Sequence, residues 1–203
     1  MIKNRAEIAR DIIQSLESRL VGSSLYLRGS LAEGRADEMS DIDIGIRNRH
    51  LTNRELAEAV VSVMEHSYRI LFYDWAKSLL PEECVISFFV VDLPIFWSID
   101  FEIIVDSEKR VLSPDTVTNS KTGHFLKLWI ATAKHHARHH ENATQEIERL
   151  YRKMFGTQGG KGGSTGRLRS ILEVIGQDAP KEYSSLLEEC ERFQRKIEQA
   201  GGP

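Results

Sequence analysis

The run Asp41-Ile42-Asp43-Ile44-Gly45-Ile46 constrains this chain more than any other stretch. Acidic and apolar residues alternate with a period of two, which is the pattern of a strand with one buried face and one open face. Residues i and i+2 of a strand share a face, so Asp41 and Asp43 stand side by side while Ile42, Ile44 and Ile46 turn into a core. Two adjacent carboxylates repel each other unless a cation lies between them. Hard divalent cations such as Mg2+ take oxygen ligands and bridge carboxylates to phosphates.

A second feature sits ten residues upstream of that pair. Ser24-Leu25-Tyr26-Leu27-Arg28 reads as a short strand that ends at Gly29-Ser30. A glycine at a strand end lets a ligand approach the backbone. A helical turn beginning at about Leu31 would point free N–H groups outward, and Ser30 adds a hydroxyl. Alone, Gly-Ser is a turn and Asp-x-Asp a solvated edge. On consecutive strands they describe a phosphate cradle beside a cation-holding carboxylate pair, which suits a nucleoside triphosphate with its metal.

The remaining pattern divides the chain. Residues 4–20 have apolar residues at helical spacing (Ile8, Ile12, Leu16, Leu20), with Asn4 and Glu7 placed for a capping box. Thr52 to His66 is helical, with Thr52 and Glu55 in the same relation. Tyr68 to Tyr73, Cys84 to Val91 and Ser98 to Val105 are further strands. After a loop the pattern becomes helical at about 122–155, 167–176 and 181–199, with Pro180 suited to a helix's first turn. The expected layout is an α/β domain over residues 1–110 and a helical domain over 120–203.

These residues together resemble the signature of the DNA polymerase β-like nucleotidyltransferase superfamily. The matching features are a strand before Gly29-Ser30, ten residues, Ser40, and Asp41-Ile42-Asp43 with its apolar run. The motif covers about 22 residues, and the layout extends over roughly 110. The resemblance implies an α+β fold, with a mixed sheet flanked by helices followed by an all-α domain. The size and helical second domain look most like small antibiotic nucleotidyltransferases acting on lincosamides or aminoglycosides. The minimal nucleotidyltransferases of toxin–antitoxin systems, which modify protein or tRNA, are the second likeness. Templated polymerases need domains for which this length leaves no room.

The resemblance also implies roles. Asp41 and Asp43 would hold Mg2+, and a third carboxylate would come from a neighbouring strand. Gly29, Ser30 and Ser40 would bind the nucleotide. Asp100 and Glu102 alternate in Ser98-Ile99-Asp100-Phe101-Glu102-Ile103-Ile104 and compete for the third position. Ile99-Asp100-Phe101 fits the family pattern better, and Glu102 is the runner-up. The third carboxylate would share a second Mg2+ and deprotonate or orient an acceptor hydroxyl. The partners implied are a nucleoside triphosphate and a small acceptor. A rival from another class is a non-catalytic nucleotide-binding module, since fold does not fix function.

Composition sharpens the exclusions. At 41% hydrophobic and 28% charged, the chain is an ordinary globular one. No apolar run approaches the ~20 residues that span a bilayer, and the start lacks a signal peptide's apolar region, so a cytoplasmic protein without membrane contact is expected. Cys84 and Cys190 then read as reduced thiols. Residues 1–120 carry 13 Lys+Arg against 20 Asp+Glu, whereas 121–170 carry 10 against 3. The net charge of −3 argues against a large nucleic-acid footprint.

Weaker signals have blander explanations. His135, His136, His139 and His140 form two i, i+4 pairs on one expected helix, but no Cys or Asp nearby completes a metal site. With Phe125, Leu128, Trp129 and Thr132 they extend a buried stripe. Gly159 to Gly166 lacks phosphate-loop spacing and reads as a flexible connection. Lys121, Lys127, Lys134 and Lys161 compete to reach a triphosphate. Trp75, Trp97, Trp129, Phe88 and Phe89 read as core, with Phe96-Trp97 also placed to line an acceptor pocket. The helical domain could form a homodimer.

Overall fold

A computed structural model describes residues 4–156 and 162–200. The chain divides into two compact units, residues 1–120 and 121–203.

The first unit is built on a five-stranded mixed sheet. Its strands are β1 (Ser24–Leu27), β2 (Ile42–Arg47), β3 (Ile70–Trp75), β4 (Cys84–Val90) and β5 (Ile99–Ile104). Their order across the sheet is β1-β2-β5-β4-β3. Only β2 and β5 run parallel; the other three pairings are antiparallel. Three helices join them: α1 (Arg5–Glu17), the short α2 (Gly29–Ala32) and α3 (Asn53–Ser67).

Both long helices start where the sequence places their caps. The Asn4 side chain accepts from the Glu7 N–H at 3.0 Å, and the Glu7 carboxylate accepts from the Asn4 N–H at 2.9 Å. Thr52 and Glu55 repeat this exchange at 3.2 and 2.7 Å. Each box satisfies two N–H groups that would otherwise have no helical partner. The bond from the Thr52 backbone holds the Glu55 carboxyl below its ordinary value.

Apolar faces of α1 and α3 cover one face of the sheet. Ile8, Ile12 and Leu16 of α1 and Leu56, Val60 and Met64 of α3 join Ile42, Ile44, Ile46, Ile99 and Phe101 in one core. Each such side chain contributes about 1.5–3 kcal/mol by leaving water. That outweighs any local preference and fixes which face of β2 is covered. Cys84 lies in this core, where burial pushes its thiol up to about 12. Both cysteines are free and buried.

The first unit extends beyond the expected boundary at residue 110. Leu112 and Val117 belong to its core. The buried Asn53 side chain accepts from the N–H groups of Val111 and Leu112 at 2.9 and 3.1 Å. Asn119 brackets the edge residue Trp75, accepting from its N–H at 2.8 Å and donating to its carbonyl at 2.9 Å.

The second unit contains α4 (Lys121–Ala137), α5 (Ala143–Phe155), α6 (Ser164–Asp178) and α7 (Ser184–Ala200). The helical pattern over 122–155 is two helices, not one. The chain turns between α4 and α5, where His139 takes the left-handed conformation (φ 54°). The histidines therefore do not form two pairs on one helix. His135 bonds Glu146 of α5 at 2.7 Å and stacks on His140, with ring centroids 5.1 Å apart. His136 approaches the Thr165 hydroxyl at 3.4 Å, and burial followed by the charge of His139 lowers its pKa. In α4 the expected Trp129 and Thr132 are buried, but Leu126, Ile130 and Ala133 are buried in place of Phe125 and Leu128, which are only partly so. The indole N–H of Trp129 donates to the Leu168 carbonyl at 2.9 Å.

α6 starts at Ser164, three residues before the expected helix, so part of the glycine-rich connection is helical. Its Arg169 grips Glu198 of α7 with two bonds of 2.9 and 2.6 Å. Pro180 precedes a single 3-10 turn (Lys181–Tyr183) that leads into α7. Among the described residues, no helix is long and apolar enough to cross a membrane.

Replacing Asn53 by Ala would leave the N–H groups of Val111 and the buried Leu112 without their acceptor. The expected loss is about 1–3 kcal/mol of stability, read from the urea midpoint. A midpoint equal to that of the unchanged protein would contradict this role.

Candidate nucleotidyl-transfer site

The sheet face opposite α1 and α3 carries the site. Register partners share a face, and β2 pairs with β5 so that Asp43 stands opposite Asp100. Asp41 lies two positions before Asp43, immediately ahead of β2. Asp41, Asp43 and Asp100 are all partly exposed, while their neighbours Ile42, Ile44, Ile99 and Phe101 are completely buried. The parallel pairing thus converts two separate sequence signals into a cross-strand carboxylate pair.

Glu102 stands elsewhere. It pairs with Gly45 rather than with an aspartate, and its carboxylate takes the Arg28 guanidinium at 2.5 Å. Gly45 leaves room for the exposed Tyr26 ring to pack against β2. A Cβ there would stand 2.8 Å from the Tyr26 hydroxyl oxygen and nearer still to the ring.

The turn after β1 is tied to this pair. The Arg28 N–H donates to the Asp43 carbonyl at 2.9 Å. Gly29 then adopts φ 57°, a conformation that L side chains rarely take. A Cβ on Gly29 would meet the Asp43 carboxylate, 3.0 Å from its carboxyl carbon. So glycine is required both by the turn and by the closeness of Asp43. The next residue, Ser30, has a buried hydroxyl with no hydrogen-bond partner among the described residues. An orphaned hydroxyl beside a turn that only glycine can make fits a site that receives a polar ligand.

Ser40 is buried, and its hydroxyl closes the loop ahead of Asp41. It accepts from the Asp37 N–H at 3.0 Å and donates to the Asp37 carboxylate at 2.9 Å. Arg5 clamps the same loop by donating to the Ser40 carbonyl at 2.7 Å and to the Asp37 carbonyl. Its guanidinium lies 5.1 Å from the centre of the Trp97 ring. Trp97 is thereby half-buried beside this loop rather than fully in the core.

Among the described residues, no three His, Cys, Asp or Glu side chains converge closely enough to hold an ion by themselves. The oxygen donors present are those Mg2+ uses, since this ion is commonly held by one or two carboxylates plus substrate phosphates and water. The donor set therefore fits a divalent cation that arrives with a phosphate ligand. Of the lysines considered from sequence, Lys121 is exposed and Lys127 and Lys134 are half-buried. Lys161 lies outside the described residues.

The family model for nucleotidyltransferase domains matches residues 7–133. This chain belongs to the nucleotidyltransferase-domain family. The match contains all five strands, the Gly29-Ser30 turn and the three aspartates. Among solved structures, the chain is similar to the RNA terminal uridylyl transferase Cid1. That likeness has a TM-score of 0.40 and 13% identity, over 84% of this chain and 47% of the other. A second is the polymerase core of the RNA surveillance complex TRAMP, with 0.38 and 12% over 93% and 56%. A third is the GLD-2/RNP-8 complex, with 0.39 and 12% over 88% and 52%. The chain spans about half the length of these structures. No curated protein matches the sequence.

Four residues near this face escape a reading for motifs. Arg5 and Arg28 give no periodic signal and act through the loop and through Glu102. Asp74 and Ser87 interrupt the otherwise apolar strands β3 and β4, and that interruption was the available clue.

Gly29→Ala should destabilise the protein by about 1–2 kcal/mol through the left-handed backbone alone, and further through displacement of Asp43. Gly22→Ala is the control, because Gly22 has φ 82° but open space around its Cβ position. Equal urea midpoints for the two variants would contradict close contact between Gly29 and Asp43.

Proposed function

We propose that this nucleotidyltransferase domain moves a nucleoside monophosphate from a nucleoside triphosphate to a hydroxyl of a small acceptor, releasing pyrophosphate. The observation that carries this reading is the Asp43–Asp100 register pair beside the Gly29-Ser30 turn. Asp41 and Asp43 would hold Mg2+ with the triphosphate, and Asp100 would complete the donor set. Divalent cations bound there would neutralise charge on the phosphates as pyrophosphate departs. Gly29 exposes backbone to the phosphates, and the Ser30 hydroxyl donates to them. Ser40, through Asp37, sets the loop from which Asp41 projects. Asp100 orients the acceptor hydroxyl and takes its proton. Catalysis is then mainly positioning and electrostatics.

Charge supports a small, cationic, hydroxyl-bearing acceptor. Residues 1–120 are acidic, with a net charge of −7, which attracts polycations such as aminoglycosides and repels a long polyanion. Lincosamides are the second antibiotic class in this reading. Residues 121–170, with Lys121, Lys127 and Lys134, carry the opposite charge, 10 Lys+Arg against 3 Asp+Glu. The same basic stretch favours protein or tRNA as the alternative acceptor.

The test is transfer of label from α-labelled ATP, GTP, CTP and UTP with Mg2+. Acceptors are pooled aminoglycosides and lincosamides, total tRNA, and lysate protein. A labelled small molecule is expected. Asp43→Asn and Asp100→Asn should each lower transfer by about 100- to 1000-fold, while Glu102→Gln keeps most of it. Label on RNA or protein would replace the small acceptor. Metal-dependent triphosphate binding without transfer to any acceptor would favour a non-catalytic module. Full activity in Asp43→Asn would overturn the site assignment.

A further inference from the structure

One polar row crosses four strands on the site face. Asp74 of β3 is the register partner of Ser87 of β4, Ser87 that of Asp100 of β5, and Asp100 that of Asp43 of β2. The carboxylates Asp43 and Asp100 have the roles given above, but Ser87 has none. It is 1% exposed, and its hydroxyl makes no hydrogen bond among the described residues. Its strand is otherwise apolar (Cys84-Val85-Ile86-Ser87-Phe88-Phe89-Val90). The Phe89 ring, on the same face, stacks on Phe72 with centroids 4.5 Å apart. A buried hydroxyl in such surroundings is unfavourable unless some state of the protein gives it a partner.

Register gives the Ser87 hydroxyl two carboxylate neighbours, Asp74 and Asp100. Asp100 has two cross-strand neighbours on its face. A carboxylate at Asp43 offers only acceptors, whereas Ser87 carries a donor. With one oxygen of Asp100 engaged by a cation, the other would take a donor, and Ser87 is its neighbour on the β4 side. Ligands of a metal are commonly oriented by such outer hydrogen bonds.

We propose that Ser87 is a positioning residue for Asp100, donating its hydroxyl to the Asp100 carboxylate when the cation and triphosphate are bound. This inference rests on the nucleotidyl-transfer reading and extends it to a residue outside the motif. Ser87 touches neither substrate nor cation. It fixes the direction in which Asp100 presents its other oxygen. Asp74, on the opposite side of Ser87 and 1% exposed, is the competing acceptor for the same proton.

The experiment is a Mn2+ titration, read by electron paramagnetic resonance, of the full chain with a non-hydrolysable nucleoside triphosphate. Thermal melting without metal runs in parallel. Ser87→Ala should weaken Mn2+ binding by about 10- to 100-fold, as loss of an outer-shell partner does elsewhere. Its metal-free melting temperature should hold or rise, because an orphaned hydroxyl has been removed. A merely structural serine would not move the two readouts in opposite directions. Ser87→Thr, which keeps the hydroxyl, should bind Mn2+ more tightly than Ser87→Ala. Asp74→Asn should bind like the unchanged protein.

Unchanged Mn2+ affinity in Ser87→Ala, with binding lost in Asp43→Asn, would overturn the role of Ser87 and leave the site reading intact. A loss in Asp74→Asn but not in Ser87→Ala would give the hydroxyl to Asp74 and also overturn it. If the unchanged protein binds no Mn2+ with the triphosphate, both the inference and the reading beneath it fall.

Discussion

Burial of Ile42, Ile44 and Ile46 is the constraint on which the rest of the structure depends. The three side chains are completely buried beneath α1 and α3. A slip of one residue in β2 would put isoleucines in the open and carboxylates in the core. The core therefore dictates the direction of Asp43. The same logic holds in β5, where Ile99, Phe101 and Ile103 are buried and Asp100 and Glu102 alternate with them. Hydrophobic burial thus supplies two acidic faces, and pairing between strands decides which acids meet.

That pairing separates Asp100 from Glu102. Both lie on the correct face, so alternation alone leaves them equivalent. Register places Asp100 against Asp43 and Glu102 against Gly45, and Arg28 then takes the Glu102 carboxylate. Register arises from contacts across distant strands, which a linear pattern does not contain. The backbone bond from Arg28 to Asp43 and the close approach of Gly29 are legible only in part for the same reason. The glycine is visible in sequence, but its φ of 57° and its neighbour are not.

Local signals were read most fully. Both capping boxes and all five strands lie where their residues put them, because caps and alternation act within a few positions. The helical unit was less legible. Continuous amphipathic spacing through 122–155 hid a turn at which His139, not glycine, takes a positive φ. That turn moves His135 against Glu146 and ends the idea of a histidine-lined helix face. The end of the first unit was also hidden, since Asn53 and Asn119 hold residues 111–120 through bonds spanning 44 to 59 positions. Ser87 and Asp74 were single polar residues within apolar strands. Their meaning depends on the row they join.

We propose that Asp43 and Asp100 face a common cation bound with a triphosphate at the Gly29-Ser30 turn. The most direct measurement is anomalous diffraction from a crystal grown with Mn2+ and a non-hydrolysable nucleoside triphosphate. The expected result is an anomalous peak within coordination distance of carboxylate oxygens of Asp43 and Asp100, with phosphate density against Gly29 and Ser30. Triphosphate density elsewhere, or a Mn2+ peak that touches neither aspartate, would contradict it.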